Sequence, residues 1–324
     1  MPGIMERAGS DVLVVQGAVG TYLHQKGFEG NTCSLNLEEP DAIEQMHGLY
    51  RLAGADCAVT NTFLATSARL AREGLAGQAA AINMEGVRLA RQAGFPHVLA
   101  AMGPCGVAVE PGSGTAALEG RLSAGEAADA AAAQSPAVGY ATAREQYLEQ
   151  TGALAAAAPD AILLQTFTSL DDALAALDAA RQACDLPVFV CMTFGGGAGA
   201  CDVGARDAAP AAPGPADCAH TLERAGAAAV GCNCMPPAET LAAIAEMRAA
   251  CGLPLIALPS AGIPRDLPRR GLVWPQGPDD FADAAVRLVA AGAGLVGSCC
   301  GSTPACTGAI YAAVGGCPVP SAEG

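Results

Sequence analysis

Three cysteines are the residues of this sequence whose type and spacing could do chemistry. Cys299 and Cys300 stand side by side in "GLVGSCCGSTP", after an apolar run, and adjacent cysteines rarely form a disulfide because their Cβ vectors point apart. Cys234 ends a second apolar run in "AAVGCNC". Three thiolates that meet at strand ends would favour zinc and leave its fourth coordination position open. The alternative is three buried cysteines without a metal, since no CxxC…CxxC pair supports the metal interpretation.

Eight short apolar runs could be the strands that position these thiols. They span 11–16, 56–61, 97–103, 161–166, 187–193, 228–234, 253–259 and 294–300. Amphipathic, Ala-rich stretches follow most of them, and alternating strands and helices predict a parallel sheet. Eight such units in 324 residues predict a closed (β/α)₈ TIM barrel, a single domain over residues 1–324, with a doubly wound open sheet as the alternative.

Four of the stretches between the runs have apolar residues at helical spacing. They cover 41–54, 169–184, 238–251 and 278–292, with Asp41, Ser169, Pro237 and Asp279 near their starts, where helix caps and first-turn residues belong.

Polar residues and the candidate thiols collect where the strands end. These residues are Gln16, Thr60, Asn61, Gly103, Gln165, Thr193, Asn233, Cys234, Ser260, Cys299 and Cys300. In a (β/α)₈ barrel the carboxyl ends of the strands form the active-site face.

Two segments fit the alternation poorly. Residues 120–139 and 195–217 are rich in Ala, Gly and Pro, and little in either can drive packing, so both are predicted to be flexible insertions.

Composition excludes several classes of partner. A formal net charge of -15 and a pI of about 4.5 argue against nucleic acid and against an anionic membrane surface. No apolar run has the roughly 18 residues of a membrane helix, and the first residues lack the features of a signal peptide. We therefore expect a cytoplasmic protein in which most of the fourteen cysteines are reduced.

Motifs along most of the chain carry a family resemblance. They are "GAVGTYL" (17–23), "AGADCAVTNTF" (53–63), "GPCG" (103–106), "GCNC" (231–234), "LPSAGIP" (258–264) and "GSCCGSTP" (297–304). Their sequence and order resemble the homocysteine S-methyltransferase family. That family includes the homocysteine-binding module of cobalamin-dependent methionine synthase, betaine–homocysteine methyltransferases and S-methylmethionine-dependent enzymes.

The resemblance implies a zinc-containing barrel that methylates a thiol sulfur, with homocysteine as the default acceptor. Cys234, Cys299 and Cys300 match the family's zinc ligands. The backbone amides of Gly17 and Ala18 match the loop that receives the substrate carboxylate. Asn233 precedes a ligand and either orients it or meets the substrate, although Asn at a strand end is also a common turn residue.

Two positions depart from the family pattern. Gln16 and Gln165 stand where the family has acids that hold the ammonium group of homocysteine. Either a nearby acid such as Glu110, Asp171 or Asp172 replaces them, or the acceptor is a thiol that lacks the amine.

The sequence also leaves the identity of the methyl donor undetermined. The chain has no corrinoid-binding Asp-x-His-x-x-Gly pattern, so the methyl group would come from a small donor such as a sulfonium or betaine, or from a separate corrinoid protein. The "TNTF" motif (60–63) favours the corrinoid route slightly, by its similarity to methionine synthase. A third possibility, from another class, is a non-catalytic zinc-binding or corrinoid-partner module.

Overall fold

The computed structural model describes residues 2–124, 138–195, 213–267 and 271–319. The strands in these ranges are β1 (Leu13–Val14), β2 (Cys57–Val59), β3 (His97–Met102), β4 (Ala161–Phe167), β5 (Val188–Met192), β6 (Ala229–Asn233), β7 (Leu255–Leu258), β8 (Arg265–Leu267), β9 (Gly271–Val273) and β10 (Ala293–Val296). The helices are α1 (Ile4–Ala8), α2 (Gly20–Gln25), α3 (Leu35–Glu38), α4 (Pro40–Leu52), α5 (Ser67–Leu70), α6 (Ala79–Gln92), α7 (Ser113–Ala124), α8 (Val138–Ala156), α9 (Leu170–Ala183), α10 (Pro215–Arg224), α11 (Pro237–Ala250), α12 (Pro278–Ala290) and α13 (Pro304–Val314).

Eight of the strands form one parallel sheet that closes on itself. Their order is β1-β10-β7-β6-β5-β4-β3-β2, and a parallel bridge between Val15 and Cys57 joins the two outer strands. At this seam the Gln16 N–H donates to the Cys57 carbonyl at 2.9 Å. The predicted (β/α)₈ barrel is therefore confirmed, and the open doubly wound sheet was wrong.

The barrel has an inner and an outer apolar layer because successive strand residues point to opposite faces. In β5, Phe189 and Cys191 belong to the inner cluster, whereas Val188 and Val190 belong to the cluster that includes the helices. The short α1 joins the inner cluster through Ile4 and Ala8. The carboxyl ends of the strands lie at the other end of the barrel from α1, and they are left to form a site.

The four predicted helices are present as α4, α9, α11 and α12. Ser169 caps α9, since its side chain accepts the Asp172 N–H. The antiparallel hairpin of β8 and β9 was not predicted, because its short strands flank "PRRG", which has the composition of a loop.

The two segments predicted to be insertions are only partly within the described ranges. Gly120 lies in α7, and α8 begins at Val138, so both ends of the first segment are helical. Pro215 begins α10 near the end of the second segment. Residues 125–137 and 196–212 lie outside the described residues, and their flexibility stays a prediction.

None of the helices in the described part of the chain has both the length and the apolar character needed to span a bilayer.

Candidate metal and substrate site at the strand ends

The three predicted thiols meet at the carboxyl ends of β6 and β10. The Cys234 sulfur lies 3.1 Å from that of Cys300 and 3.4 Å from that of Cys299. The Cys299 and Cys300 sulfurs are 3.9 Å apart. Cys234 follows β6 directly, whereas the cysteine pair lies in the loop after β10, beyond the last strand residue Val296.

These separations fit a tetrahedral metal. Zinc–sulfur bonds of about 2.3 Å at tetrahedral angles place two thiolate sulfurs about 3.8 Å apart. The observed distances of 3.1, 3.4 and 3.9 Å are at or somewhat below that value, and no other group of three or more metal-ligating side chains lies as close together in the described ranges. Cys234, Cys299 and Cys300 could thus hold one zinc ion, with one coordination position left for a substrate.

Hydrogen bonds among the three thiols shift the pKa values of Cys234 and Cys299 in opposite directions. Hydrogen bonds from Cys234 and Cys300 hold the pKa of the Cys299 thiol well below its ordinary value. The same contacts, together with burial, raise the pKa of Cys234. Three adjacent thiolates repel one another, so a bound cation would be needed to stabilise all three.

The backbone is strained at the site. Cys234 and Thr166 both have φ of +63°, a left-handed conformation that non-glycine residues rarely adopt. Asn233, which is fully buried, lies between them: its Oδ1 accepts the Thr166 N–H at 2.8 Å, and its Nδ2 donates to Thr166 Oγ1 at 2.7 Å. Strain of this kind persists where the surroundings fix it, often at functional sites.

The loop that carries the cysteine pair is held from two sides. Ser302 Oγ accepts the Ala18 N–H at 3.0 Å and donates to the Cys299 carbonyl at 2.7 Å. Gly301 has φ of +81°, and a Cβ atom there would lie 2.1 Å from the Trp274 ring. Only glycine fits that position without displacing the ring.

A cavity of about 290 Å³ opens beside the thiols. Seven of the eight predicted site residues line it: Gln16, Gly17, Ala18, Gln165, Cys234, Cys299 and Cys300. The eighth, Asn233, contacts Thr166 and Cys299 instead.

The cavity wall has no carboxylate side chain among the described residues. Of its lining residues in the described ranges, none is Asp, Glu, Lys or Arg, whereas His24 and the three thiols can carry charge. Asp171 accepts the backbone N–H groups of Gly112 and Gly114, and Asp172 accepts the Tyr147 hydroxyl. Neither of these acids, nor Glu110, lines the cavity, so none of the three replaces the missing family acids in this structure.

Gln16 is fixed by a buried histidine. Its Oε1 lies 2.9 Å from His47 Nδ1, and burial lowers the pKa of His47 to about 3, which keeps the ring neutral at physiological pH. The Gln16 Nε2 atom has no protein partner, and neither has Ser298 Oγ, although both residues are only 1–2% exposed. Buried polar groups normally have partners, and His47 Nε2 likewise has none.

Gly17 and Ala18 follow the first strand, as predicted. A Cβ atom on Gly17 would come within 2.9 Å of Ser302 Oγ, Ser298 Oγ and the Tyr50 ring, so glycine is needed there for space. The Ala18 N–H already donates to Ser302, so a substrate carboxylate would have to share it. Carboxylate binding by these two amides stays a prediction.

Several residues at the site were not predicted. Ser298 and Ser302 flank the cysteine pair, and the "GSCCGSTP" motif was their only signal. His47 lies inside α4, where the sequence shows only a helix with an apolar face. Its contact with Gln16 depends on the packing of α4 against the barrel.

Comparison with known proteins identifies the family. The family model described as homocysteine S-methyltransferase matches residues 13–314. The methionine synthase of Mycobacterium tuberculosis is 30% identical over 332 residues, which cover 94% of this chain and 24% of that protein. Homocysteine S-methyltransferase YbgG of Bacillus subtilis is 26% identical, over 90% of this chain and 91% of that one.

A solved structure has the same fold. The homocysteine methyltransferase MmuM from Escherichia coli superimposes with a TM-score of 0.69 at 23% identity, over 93% of this chain and 96% of that chain. The chain spans about a quarter of the length of the mycobacterial methionine synthases that it matches. The family model covers nearly the whole barrel, including all three thiols, and the chain belongs to the homocysteine S-methyltransferase family.

Proposed function

We propose that this chain is an S-methyltransferase that binds its thiol substrate at a zinc ion held by Cys234, Cys299 and Cys300, with homocysteine as the default acceptor. The observation that carries the proposal is the cluster of three sulfurs, 3.1–3.9 Å apart, at the mouth of the barrel. Structures of the fold neighbour MmuM have been determined in metallated and apo forms, which is consistent with a metal-binding protein.

A zinc ion held by Cys234, Cys299 and Cys300 would supply the Lewis acidity that keeps a substrate thiol deprotonated yet nucleophilic. In the methyl transfer, a new sulfur–carbon bond would replace the bond between the methyl group and the donor, and the electron pair of the broken bond would stay with the donor. The thiol proton would go to solvent.

The protein's own residues would orient this reaction. Asn233 fixes the backbone that places Cys234, and Ser302 fixes the loop that places Cys299. The cavity beside the thiols would hold the rest of the acceptor through Gln16, Gly17, Ala18 and Gln165. A cytoplasmic location, as the sequence predicts, would keep the three thiols reduced.

The donor is proposed to reach the thiols from outside the cavity. One proposed donor is a methylated corrinoid on a separate protein that docks at the mouth of the barrel. A small sulfonium or betaine donor is the other possibility. The similarity of the "TNTF" motif to methionine synthase favours the corrinoid route.

The test is methyl transfer to homocysteine and to a panel of other thiols by the zinc-loaded protein, with four donors compared: methylcobalamin, S-methylmethionine, S-adenosylmethionine and betaine. We expect turnover with at least one donor. For the corrinoid route, we expect turnover with methylcobalamin or a methylated corrinoid protein and none with the three small donors. Turnover with a small donor alone would exclude the corrinoid route. Full activity of the metal-free protein would overturn the proposed mechanism, and no methyl transfer with any thiol would leave the non-catalytic module as the answer.

A further inference from the structure

The side-chain amide of Asn233 has one orientation that fits its partners. The Thr166 backbone N–H can only donate, so the amide atom that lies 2.8 Å from it is the oxygen Oδ1. The nitrogen Nδ2 is therefore the atom that lies 2.7 Å from the Thr166 hydroxyl, to which it donates. Asn233 is fully buried, so both amide atoms depend on protein groups for their hydrogen bonds.

One hydrogen atom of this amide remains for a thiol of the cluster. An asparagine NH₂ group has two hydrogen atoms, and the Thr166 hydroxyl takes one of them. The Cys299 sulfur lies 3.8 Å from Nδ2, at the distance of a long N–H···S hydrogen bond. The amide therefore meets a proposed zinc ligand from the loop after β10, although Asn233 itself ends β6.

The same contacts keep the amide from turning away from Cys299. A rotation of the Asn233 side chain would break both of its bonds to Thr166. The backbone of Asn233 is held as well, because its carbonyl accepts the Thr193 hydroxyl at 2.9 Å. The N–H group directed at Cys299 is thus held in place by bonds that do not involve a metal.

We propose that Asn233 is a positioning residue of the metal site, whose amide donates a hydrogen bond to the Cys299 thiolate, orients it and lowers the electron density that this sulfur gives to the metal. Hydrogen bonds to metal ligands tune the affinity and the reactivity of a metal site. A ligand that gives less electron density leaves the metal better able to hold a substrate thiolate. The inference rests on the proposed function, because it concerns the same zinc site, and it assigns the Asn233 side chain to the metal ligands instead of the substrate.

Cobalt(II) in place of zinc makes this hydrogen bond measurable without any methyl transfer. Cobalt(II) bound to thiolates has a sulfur-to-metal charge-transfer absorption band, whose energy falls when the sulfur becomes richer in electrons. Asn233→Ala removes the donor, so we expect this band to move to longer wavelength. We also expect the zinc affinity, measured by competition with a chelator, to fall about tenfold to a hundredfold.

A second variant and a control separate the hydrogen bond to sulfur from the rest of the buried pair. Asn233→Asp keeps an oxygen atom for the Thr166 N–H, but its carboxylate cannot donate to sulfur, so it should move the band in the same direction. It remains available if Asn233→Ala does not fold. Thr166→Ala is the matched control, because it removes the hydroxyl partner of Nδ2 and keeps the N–H group directed at Cys299. Its band should stay at the wavelength of the unaltered protein.

The outcomes separate this inference from the proposed function. A band that Asn233→Ala and Asn233→Asp leave unchanged, or that Thr166→Ala moves equally, would overturn the role of Asn233 and leave the proposed zinc site standing. If the unaltered protein has no sulfur-to-cobalt band that depends on Cys234, Cys299 and Cys300, the proposed function is wrong, and the inference is wrong with it.

Discussion

Asn233 and Thr166 are joined by two hydrogen bonds across the mouth of the barrel. Asn233 accepts the Thr166 backbone N–H at 2.8 Å and donates to the Thr166 hydroxyl at 2.7 Å. Thr166 follows Gln165 of the cavity wall, and Asn233 precedes the thiol residue Cys234. The pair therefore connects the strand that presents the wall to the strand that presents a metal ligand.

Removing this amide should destabilise both the fold and the site. Asn233→Ala leaves the buried Thr166 N–H without a partner, so we expect the free energy of unfolding to fall by about 1–3 kcal/mol. Thr166→Ala keeps that N–H bond and should cost less. Urea denaturation of both variants and of the double variant gives the coupling energy, and a value within about 0.3 kcal/mol of zero would contradict the paired arrangement.

The thiol cluster should bind zinc. Purified protein is expected to contain about one zinc ion per chain, and Cys234→Ser, Cys299→Ser and Cys300→Ser should each lose it. Cys317→Ser is the matched control, since Cys317 is exposed and outside the cluster. Metal analysis after dialysis measures the content, and retention of zinc by all three cluster variants would exclude this site.

Zinc affinity should also depend on pH. Thiolates bind the metal and thiols do not, so protons compete with zinc and the affinity should fall as the solution is acidified. Competition with a chromophoric chelator at several pH values measures this dependence. An affinity that is unchanged between neutral and mildly acidic solution would argue against a site made of three thiolates.

His47 should make folding stability sensitive to acid. Burial lowers its pKa from 6.5 to about 3, so between these values the unfolded chain binds a proton that the folded chain does not. Stability should therefore be unaffected by His47 above pH 6.5 and fall as the pH drops toward 3, by up to about 1.4 kcal/mol per pH unit.

Two substitutions test that assignment. His47→Gln should make the loss of stability with acid less steep, whereas His220→Gln, at an exposed position, should leave it unchanged. Asp172, whose pKa is raised to about 6 by burial, acts in the opposite direction, since its folded form holds a proton that the unfolded form releases. Denaturation midpoints between pH 4 and 8 give the slopes, and equal slopes for His47→Gln and the unaltered protein would refute the role of His47.

Gly17 and Gly48 should respond oppositely to alanine. A Cβ atom on Gly17 would come within 2.9 Å of two serine hydroxyls and the Tyr50 ring, so Gly17→Ala should cost about 1–3 kcal/mol. Gly48 lies inside α4 with nothing within 4 Å of its Cβ position, so Gly48→Ala should stabilise by about 0.5–1 kcal/mol. Thermal denaturation compares them, and equal midpoints would contradict the close packing at Gly17.

The barrel and the set of three thiols could be predicted from the amino-acid sequence. Eight apolar runs alternate with helical patterns, and that alternation leaves few topologies open, because parallel strands require crossover connections. Cys234, Cys299 and Cys300 were predictable because each follows an apolar run, and the carboxyl ends of barrel strands meet on one face. Gln16 and Gln165 were also visible, as neutral residues where the resembling family has acids.

The surroundings of those two glutamines depend on long-range packing and could not be predicted. Local patterns do not record which distant side chains meet, so the sequence left open whether Asp171 or Asp172 compensates for the missing acids. In the fold Asp171 accepts backbone N–H groups of the segment around Gly112, and Asp172 accepts a tyrosine hydroxyl. His47, 31 positions from Gln16, contacts the Gln16 side chain, because the packing of α4 on the barrel brings the two side chains together.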